Sequence, residues 1–129
     1  MKKLFLLLTS VLLIGLTACG NKEPEYSLEF IEGKTVTIED NEYVGAFFNF
    51  TNNGDETVMP TDAIDVKAFQ NGTELNIVVY TGKEIEGAIQ CDTSVQSGTT
   101  AEVVWTFETQ DDSTVFLECG DGQKISFEI

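Results

Sequence analysis

The fold is decided by the stretch VGAFFNFTNNGD, which spans residues 44–55. Side chains alternate between the two faces of an extended strand, so every second residue of this stretch shares a face. One face collects apolar residues throughout: Val44, Ala46, Phe48 and Phe50. The Asn-Asn-Gly sequence that follows favours a turn, because Asn and Gly tolerate a positive φ. The stretch therefore predicts a half-buried β-strand that ends in a tight loop.

The chain downstream repeats this alternation around a second turn. Residues 64–69 and 75–79 carry apolar side chains at every second position, and Asn71-Gly72 lies between them. An Asn-Gly pair between alternating runs is the strongest short-range signal of a β-hairpin. We therefore expect a hairpin over residues 63–80.

Strands are also expected on both sides of this hairpin. Residues 101–107 and 115–119 alternate in the same way, and residues 125–129 form a last short run. Upstream, apolar residues precede and follow Glu32-Gly33, which predicts a first hairpin between residues 28 and 38.

Nothing after residue 27 carries the helical spacing of apolar residues. In residues 81–98, which are rich in Gly, Thr, Ser and Asp, only a short strand near Ile89 and Cys91 is expected. Short strands separated by regularly spaced turns are typical of immunoglobulin-like domains. The sequence therefore predicts an all-β fold, an immunoglobulin-like antiparallel β-sandwich of about seven or eight strands.

A secretory signal precedes this domain. Lysines at positions 2 and 3 lead into an apolar run over residues 4–16, which is shorter than the roughly 20 residues of a membrane-spanning helix. The segment Leu16-Thr17-Ala18-Cys19 resembles the bacterial lipobox, in which the cysteine receives a diacylglycerol and the chain is cut in front of it. The alternative is an ordinary signal peptide cut near Ala18.

The lipobox divides the chain into three parts. Residues 1–18 are expected to be the lipoprotein signal peptide, residues 19–27 the lipidated N-terminus with a short tether, and residues 28–129 the β-sandwich domain. Two acyl chains anchor a protein stably, so the membrane is an expected partner, and no cofactor is expected beyond the covalent diacylglycerol on Cys19. Gly20 and Asn21 replace the retention aspartate of Gram-negative sorting. The expected location is therefore the extracytoplasmic face of a Gram-positive cell membrane, and the alternative is onward export in a Gram-negative cell.

The charge of the mature chain excludes nucleic acid as a partner. Seven lysines are the only basic residues and two of them leave with the signal, so five lysines oppose 22 acidic residues and the net charge becomes −17. Phosphate backbones are bound through clusters of Lys and Arg, which this composition does not supply. The chain is nevertheless 42% apolar, which indicates a packed core under a solvated acidic coat.

With Cys19 assigned to lipid, Cys91 and Cys119 remain as a pair. In the oxidising environment of an exported protein, a disulfide between them would stabilise the fold by about 3–4 kcal/mol. The sequence favours this disulfide only narrowly over two separate buried thiols. No spacing of Cys or His indicates a zinc site.

The composition also argues against catalysis. The chain contains no histidine, which is the usual activating base for Ser and Cys nucleophiles and the commonest metal ligand. No catalytic residue is assigned, and no enzyme activity is expected. Calcium is the sharper alternative because several turns carry carboxylates, although turn formation explains those residues better. The weak calcium candidates are Asp55, Asp111, Asp112 and Asp121.

Three aromatic residues lie opposite the main apolar faces of their strands: Tyr43, Phe47 and Phe69. One hypothesis is that they form an exposed strip that binds an extracellular protein or a glycan. The favoured alternative is that a loop or a neighbouring strand covers them. Trp105 and Phe107 lie on an inward face, and we expect them in the core.

Three segments resemble a known family: Phe48–Asn53, Val66–Gly72 and Ser97–Val103. They are similar to a group of Gram-positive lipoproteins catalogued as domain of unknown function 5067, and the resemblance covers most of the mature chain. It implies an immunoglobulin-like sandwich on a lipid anchor. It brings no substrate, cofactor or catalytic residue, and Cys91 and Cys119 are not part of the family's pattern.

The leading functional hypothesis is a membrane-anchored extracytoplasmic lipoprotein whose domain is a binding or structural surface module without enzyme activity. A calcium- or solute-binding sensor domain is the alternative, and calcium-dependent thermal stability would favour it. A carboxylate-dependent hydrolase ranks third, because it requires two acidic side chains that face each other in a cleft.

Overall fold

Nine strands and one short helix are formed by the residues that the computed structural model describes, 24–80 and 82–129. In chain order the elements are β1 Tyr26–Ile38, β2 Asn41–Asn52, α1 Pro60–Ala63, β3 Val66–Gln70, β4 Thr73–Glu74, β5 Ile77–Val78, β6 Ile89–Gln90, β7 Thr100–Phe107, β8 Val115–Cys119 and β9 Lys124–Phe127. Six longer strands therefore carry most of the pairing, because β4, β5 and β6 have two residues each. The first strand begins two residues before the expected domain boundary at residue 28.

The strands form two sheets that pack face to face. The large sheet has the order β1-β2-β7-β5, and the small sheet has the order β9-β8-β3-β4. Neighbours along both paths are antiparallel, while β6 adds to β7 in parallel. The immunoglobulin-like β-sandwich expected from the alternation is confirmed.

The core lies between the two sheets and is rich in aromatic side chains. Phe48, Phe50, Trp105 and Phe107 of the large sheet pack there with Leu117 of the small sheet. Trp105 is fully buried and meets Phe48 edge to face, with the ring centroids 5.5 Å apart. The inward face expected for the stretch at residues 44–50 is therefore confirmed.

A second apolar cluster lies on the opposite, outer face of the large sheet. The connection between β5 and β6 folds over this face and buries Ile85 and Ala88 against it. The cluster residues that the sheet contributes are Val36, Ile38, Phe47 and Val104. The large sheet is thus covered on both faces around Phe47.

The first hairpin expected around Glu32-Gly33 is wrong, because β1 continues through this point as one strand. Its pairing with β2 shifts between Phe30 and Glu32, where Ile31 is the extra residue of a β-bulge. The apolar residues before the bulge belong to the inner core, whereas Val36 and Ile38 after it belong to the outer cluster. β1 therefore presents apolar residues on one face before the bulge and on the other face after it. In the sequence, this pattern looks like two separate strands.

The hairpin at Asn71-Gly72 is confirmed, with φ of 53° and 79° at these residues, but it is shorter than expected. The Leu75 N–H donates to the Ala68 carbonyl at 2.8 Å, which is the end of this pairing. The chain then crosses to the large sheet, where β5 pairs with β7. Ile77 and the following apolar residues consequently do not extend the hairpin to residue 80.

Three buried amide side chains hold the loops to the sandwich: Asn52, Gln70 and Gln90. The Gln70 amide donates to the Asp111 and Ser113 carbonyls at 2.9 and 2.8 Å and accepts from the Gln110 N–H at 2.8 Å. Asn52 and Gln90 each bind their neighbouring loops in the same way. The loop backbone groups that are buried away from water thus find hydrogen-bond partners in these amides.

Candidate functional site

The two side edges of the sandwich differ, and the edge formed by β1 and β9 is closed. Phe127 of β9 stacks on Phe30, with ring centroids 5.9 Å apart. It also lies directly over Gly33, where a side chain would overlap its ring. Beside it, the Gln123 amide donates to the Leu28 carbonyl at 3.0 Å. Side chains thus seal the gap between the sheets on this side.

We expect Gly33→Ala to lower the free energy of unfolding by about 1–3 kcal/mol, the usual range for an overpacked site. A Cβ at this position would lie 2.3 Å from two atoms of the Phe127 ring, so the ring must leave its place on Phe30. The φ of Gly33 is not in the positive region, so the effect is steric. Urea denaturation followed by the fluorescence of Trp105, the one tryptophan, measures the loss.

The control for this change is Thr35→Ala, an exposed position on the same strand, which should change stability by less than about 0.5 kcal/mol. In a Phe127→Ala background the clash is absent, so Gly33→Ala should then cost little. An equal loss in both backgrounds would show that Phe127 does not occupy the space over Gly33.

The opposite edge, formed by β4 and β5, holds a cleft of about 410 Å³. The cleft exists because the chain leaves the small sheet after Leu75 and joins the large sheet at Ile77. Its deepest lining consists of the buried residues Val66, Leu75 and Phe107. The volume falls within the range of small-ligand sites in proteins.

Polar side chains surround the mouth of the cleft: Thr61, Asp65, Lys67, Glu74 and Asn76. The Lys67 ammonium lies 3.9 Å from the Asp65 carboxylate, and both side chains are largely exposed, so this ion pair is weak. With two carboxylates and one ammonium, the mouth keeps one net negative charge. Ile77 adds an apolar side chain that is 46% exposed.

Sequence reasoning missed this cleft. Leu75 and Ile77 were assigned to one continuous strand, and neither Asp65 nor Glu74 was singled out. One signal in the sequence points to it: Ile77, Val78 and Val79 are three consecutive apolar residues, which interrupts the alternation. Such a run at the end of a hairpin can indicate that the chain changes sheets.

The exposed aromatic strip expected from Tyr43, Phe47 and Phe69 is wrong. Phe47 is only 1% exposed, because the connection between β5 and β6 covers it. Tyr43 is half-buried under the same connection, and its hydroxyl lies 2.9 Å from the Tyr80 hydroxyl. Phe69 lies in the other sheet, in register with Phe116. The covering loop favoured from sequence explains the first two residues.

Cys91 and Cys119 are free and buried, so the predicted disulfide is not formed. Cys91 follows β6 of the large sheet, whereas Cys119 ends β8 of the small sheet. Both belong to the inner core, where each thiol packs as a small apolar group. The structure therefore contains two separate buried thiols, which was the alternative prediction from the sequence.

We expect both thiols to resist modification in the folded protein. Burial, with a smaller contribution from a neighbouring carboxylate, raises the pKa of the Cys91 thiol to about 12 and that of the Cys119 thiol to about 11. A raised pKa means that the folded state holds these protons more tightly than the unfolded state. The resulting contribution to stability is fully present below the ordinary thiol pKa of about 8.5 and is lost as the pH rises toward 11.

An aromatic disulfide reagent tests this placement at pH 8. In a Cys19→Ser chain, Cys91 and Cys119 should react within minutes after denaturation and far more slowly before it. Rapid reaction of the native protein would contradict the buried positions.

The carboxylates of two acidic turns accept hydrogen bonds from residues of the same turn. The Asp111 carboxylate accepts from the Ser113 N–H at 2.8 Å, and hydrogen bonds from Ser113 and Asn71 hold its pKa below the usual range. Asp121 accepts in the same way from Gln123. The other two calcium candidates are exposed residues: Asp55 and Asp112. Across residues 24–80 and 82–129, no group of three or more His, Cys, Asp or Glu residues is placed to hold a metal ion.

Cys19 and the expected signal peptide lie outside the described residues. Within the part of the chain that is described, the structure contains no helix long and apolar enough to cross a membrane.

A solved structure shares the fold of this chain, and a family model matches its sequence. A presumed lipoprotein from Staphylococcus aureus superposes with a TM-score of 0.61 at 15% identity, over 80% of this chain and 83% of that chain. A presumed lipoprotein from Bacillus subtilis gives a TM-score of 0.45 at 11% identity, over 80% of this chain and 34% of that chain. No curated protein matches the sequence. The family model described as Domain of unknown function (DUF5067) matches residues 21–121, and the chain therefore belongs to this family.

Proposed function

We propose that this protein is an extracytoplasmic lipoprotein whose β-sandwich is a binding module without enzyme activity. The lipid anchor is inferred from the segment Leu16-Thr17-Ala18-Cys19, which lies at the end of a short apolar run. The likeness of the fold to a presumed lipoprotein of Staphylococcus aureus supports the same assignment.

The tether in this proposal is short. Six residues separate Cys19 from Tyr26, the first residue of β1. Fully extended, the chain from Cys19 to Tyr26 reaches at most about 25 Å. The sandwich therefore stays next to the membrane, and its partners are molecules that come to the cell surface or belong to it.

Binding is favoured over catalysis by the composition of the cleft. Its mouth carries Asp65, Lys67 and Glu74 over an apolar floor, and the whole chain contains no histidine. A mixed lining of this kind suits recognition of a ligand that has both apolar and charged parts. The turn carboxylates considered for calcium are engaged in turn hydrogen bonds at Asp111 and Asp121, which does not favour the sensor alternative.

Intact-mass measurement of the protein extracted from its native membrane tests the anchor. The expected mass is that of a chain that begins at Cys19 and carries a diacylglyceryl group. A chain cut elsewhere, recovered from the medium without lipid, would refute the lipoprotein assignment.

A further inference from the structure

We propose that the cleft between β4 and β5 binds an extended peptide segment that pairs with this open edge and places a basic side chain between Asp65 and Glu74. This inference rests on the proposed binding function and specifies its ligand. The partner is then a protein with an exposed, extended segment in which a Lys or Arg residue alternates with apolar residues.

The first support is the contrast between the two edges of the sandwich. The β1 and β9 edge is sealed by Phe127 over Gly33 and by the Gln123 amide on Leu28. At the other edge, β4 ends the small sheet and β5 ends the path of the large sheet. An edge strand presents main-chain N–H and C=O groups to which another chain can add.

The second support is the charge at the mouth. Asp65 is paired only weakly, at 3.9 Å from Lys67. Among the ion pairs of the described residues, none includes Glu74. A basic side chain would supply the missing positive charge, and the mature net charge of −17 would draw a basic segment toward the protein.

The third support is the apolar surface that begins in the cleft at Ile77 and continues along the chain. Ile77 is 46% exposed and Val79 is 37% exposed, and the two residues are separated by one position along the chain. A free ammonium ion or a single basic amino acid would leave this surface uncovered. An added strand points alternate side chains to the same face, so a segment with apolar residues next to the basic one covers both features.

Peptide binding to the mature lipidated chain in phosphatidylcholine nanodiscs tests this proposal, with empty nanodiscs as the blank. The probe is the blocked pentapeptide acetyl-Val-Lys-Val-Lys-Val-amide, measured by isothermal titration calorimetry. We expect the double variant Asp65→Asn with Glu74→Gln to weaken binding at least about tenfold, because the basic side chain loses both partners. The control is the double variant Glu29→Gln with Glu102→Gln, which removes two exposed carboxylates beside Asn49 on the large sheet, away from the cleft, with an expected change of less than about twofold. A circular dichroism melt verifies that each variant is folded.

Two further peptides distinguish strand addition from simple attraction. The analogue with Glu in place of Lys should not bind, and an analogue with alternate amides N-methylated should bind at least about tenfold more weakly, because it cannot donate to an edge strand. Equal binding of the N-methylated peptide, or equal weakening by Glu29→Gln with Glu102→Gln, would overturn the proposal. Absence of peptide binding by a chain that carries its lipid overturns the peptide assignment alone, whereas absence of the lipid overturns the anchor.

Discussion

Replacing Cys19 with serine is expected to move the cut protein, which has lost its signal peptide, from the membrane fraction to the soluble fractions. A serine hydroxyl does not accept the diacylglyceryl thioether, so the chain loses the two acyl chains that would hold it. Each buried methylene contributes about 0.8 kcal/mol to membrane binding, so two long chains correspond to many orders of magnitude in partition. Cell fractionation followed by immunoblotting measures the change: the cut Cys19→Ser chain should be soluble, and only an uncut precursor, recognised by its larger size, should stay with the membrane through its apolar run.

The matched control is Cys91→Ser, which makes the same chemical change at a buried core position. It should leave the protein on the membrane, although it lowers stability. If the Cys19→Ser chain stayed on the membrane in its cut form, the apolar run and the lipobox would have been misread, and another part of the chain would hold the protein there.

Trp105→Ala is expected to lower the free energy of unfolding by about 3–5 kcal/mol, the range observed for loss of a large buried aromatic residue. Trp105 lies on β7, in the interior of the large sheet, and is fully buried against Phe48. Its removal leaves a cavity between the two sheets, where the surrounding side chains relax only partly. Small domains are stable by about 5–15 kcal/mol in total, so the variant should unfold at a much lower urea concentration. Far-UV circular dichroism is the suitable probe, because the variant has no tryptophan left.

Phe116→Ala is the matched control for Trp105→Ala. Phe116 is also an aromatic strand residue, but it is 51% exposed on the outer face of the small sheet, and its loss should change stability by no more than about 1 kcal/mol. Trp105→Phe keeps most of the apolar volume and should fall between the two. Equal losses of stability for Trp105→Ala and Phe116→Ala would show that Trp105 does not lie at the centre of the core.

The alternation of apolar residues was sufficient to predict which side chains face the core, because successive side chains of a strand point to opposite faces of its sheet. Phe48, Phe50 and Trp105 were assigned to the core from sequence, and the structure places them there. The turn at Asn71-Gly72 was also predictable, because few residues adopt a positive φ at two successive positions.

The features that define the cleft were not predictable in this way. The bulge at Ile31 and the change of sheet after Leu75 are local departures whose direction is set by packing against strands distant in sequence. The cover over Phe47 comes from a connection rich in Gly and polar residues, in which only Ile85 and Ala88 reveal the buried side. Asp65 and Glu74 lie nine positions apart, and only the shape of the hairpin brings them to one cleft.

The long pairing between β1 and β2 gives the proposed lipoprotein a mechanically strong attachment. The chain enters the fold at Tyr26, and β1 is in register with β2 at twelve positions. A pull directed along β1 would load this ladder of hydrogen bonds in shear, all at once, instead of opening the bonds one after another. A partner held at the cleft would pull on the opposite edge of the same sheet, through β7. The large sheet would then carry tension between the membrane and the partner without peeling from its N-terminal end.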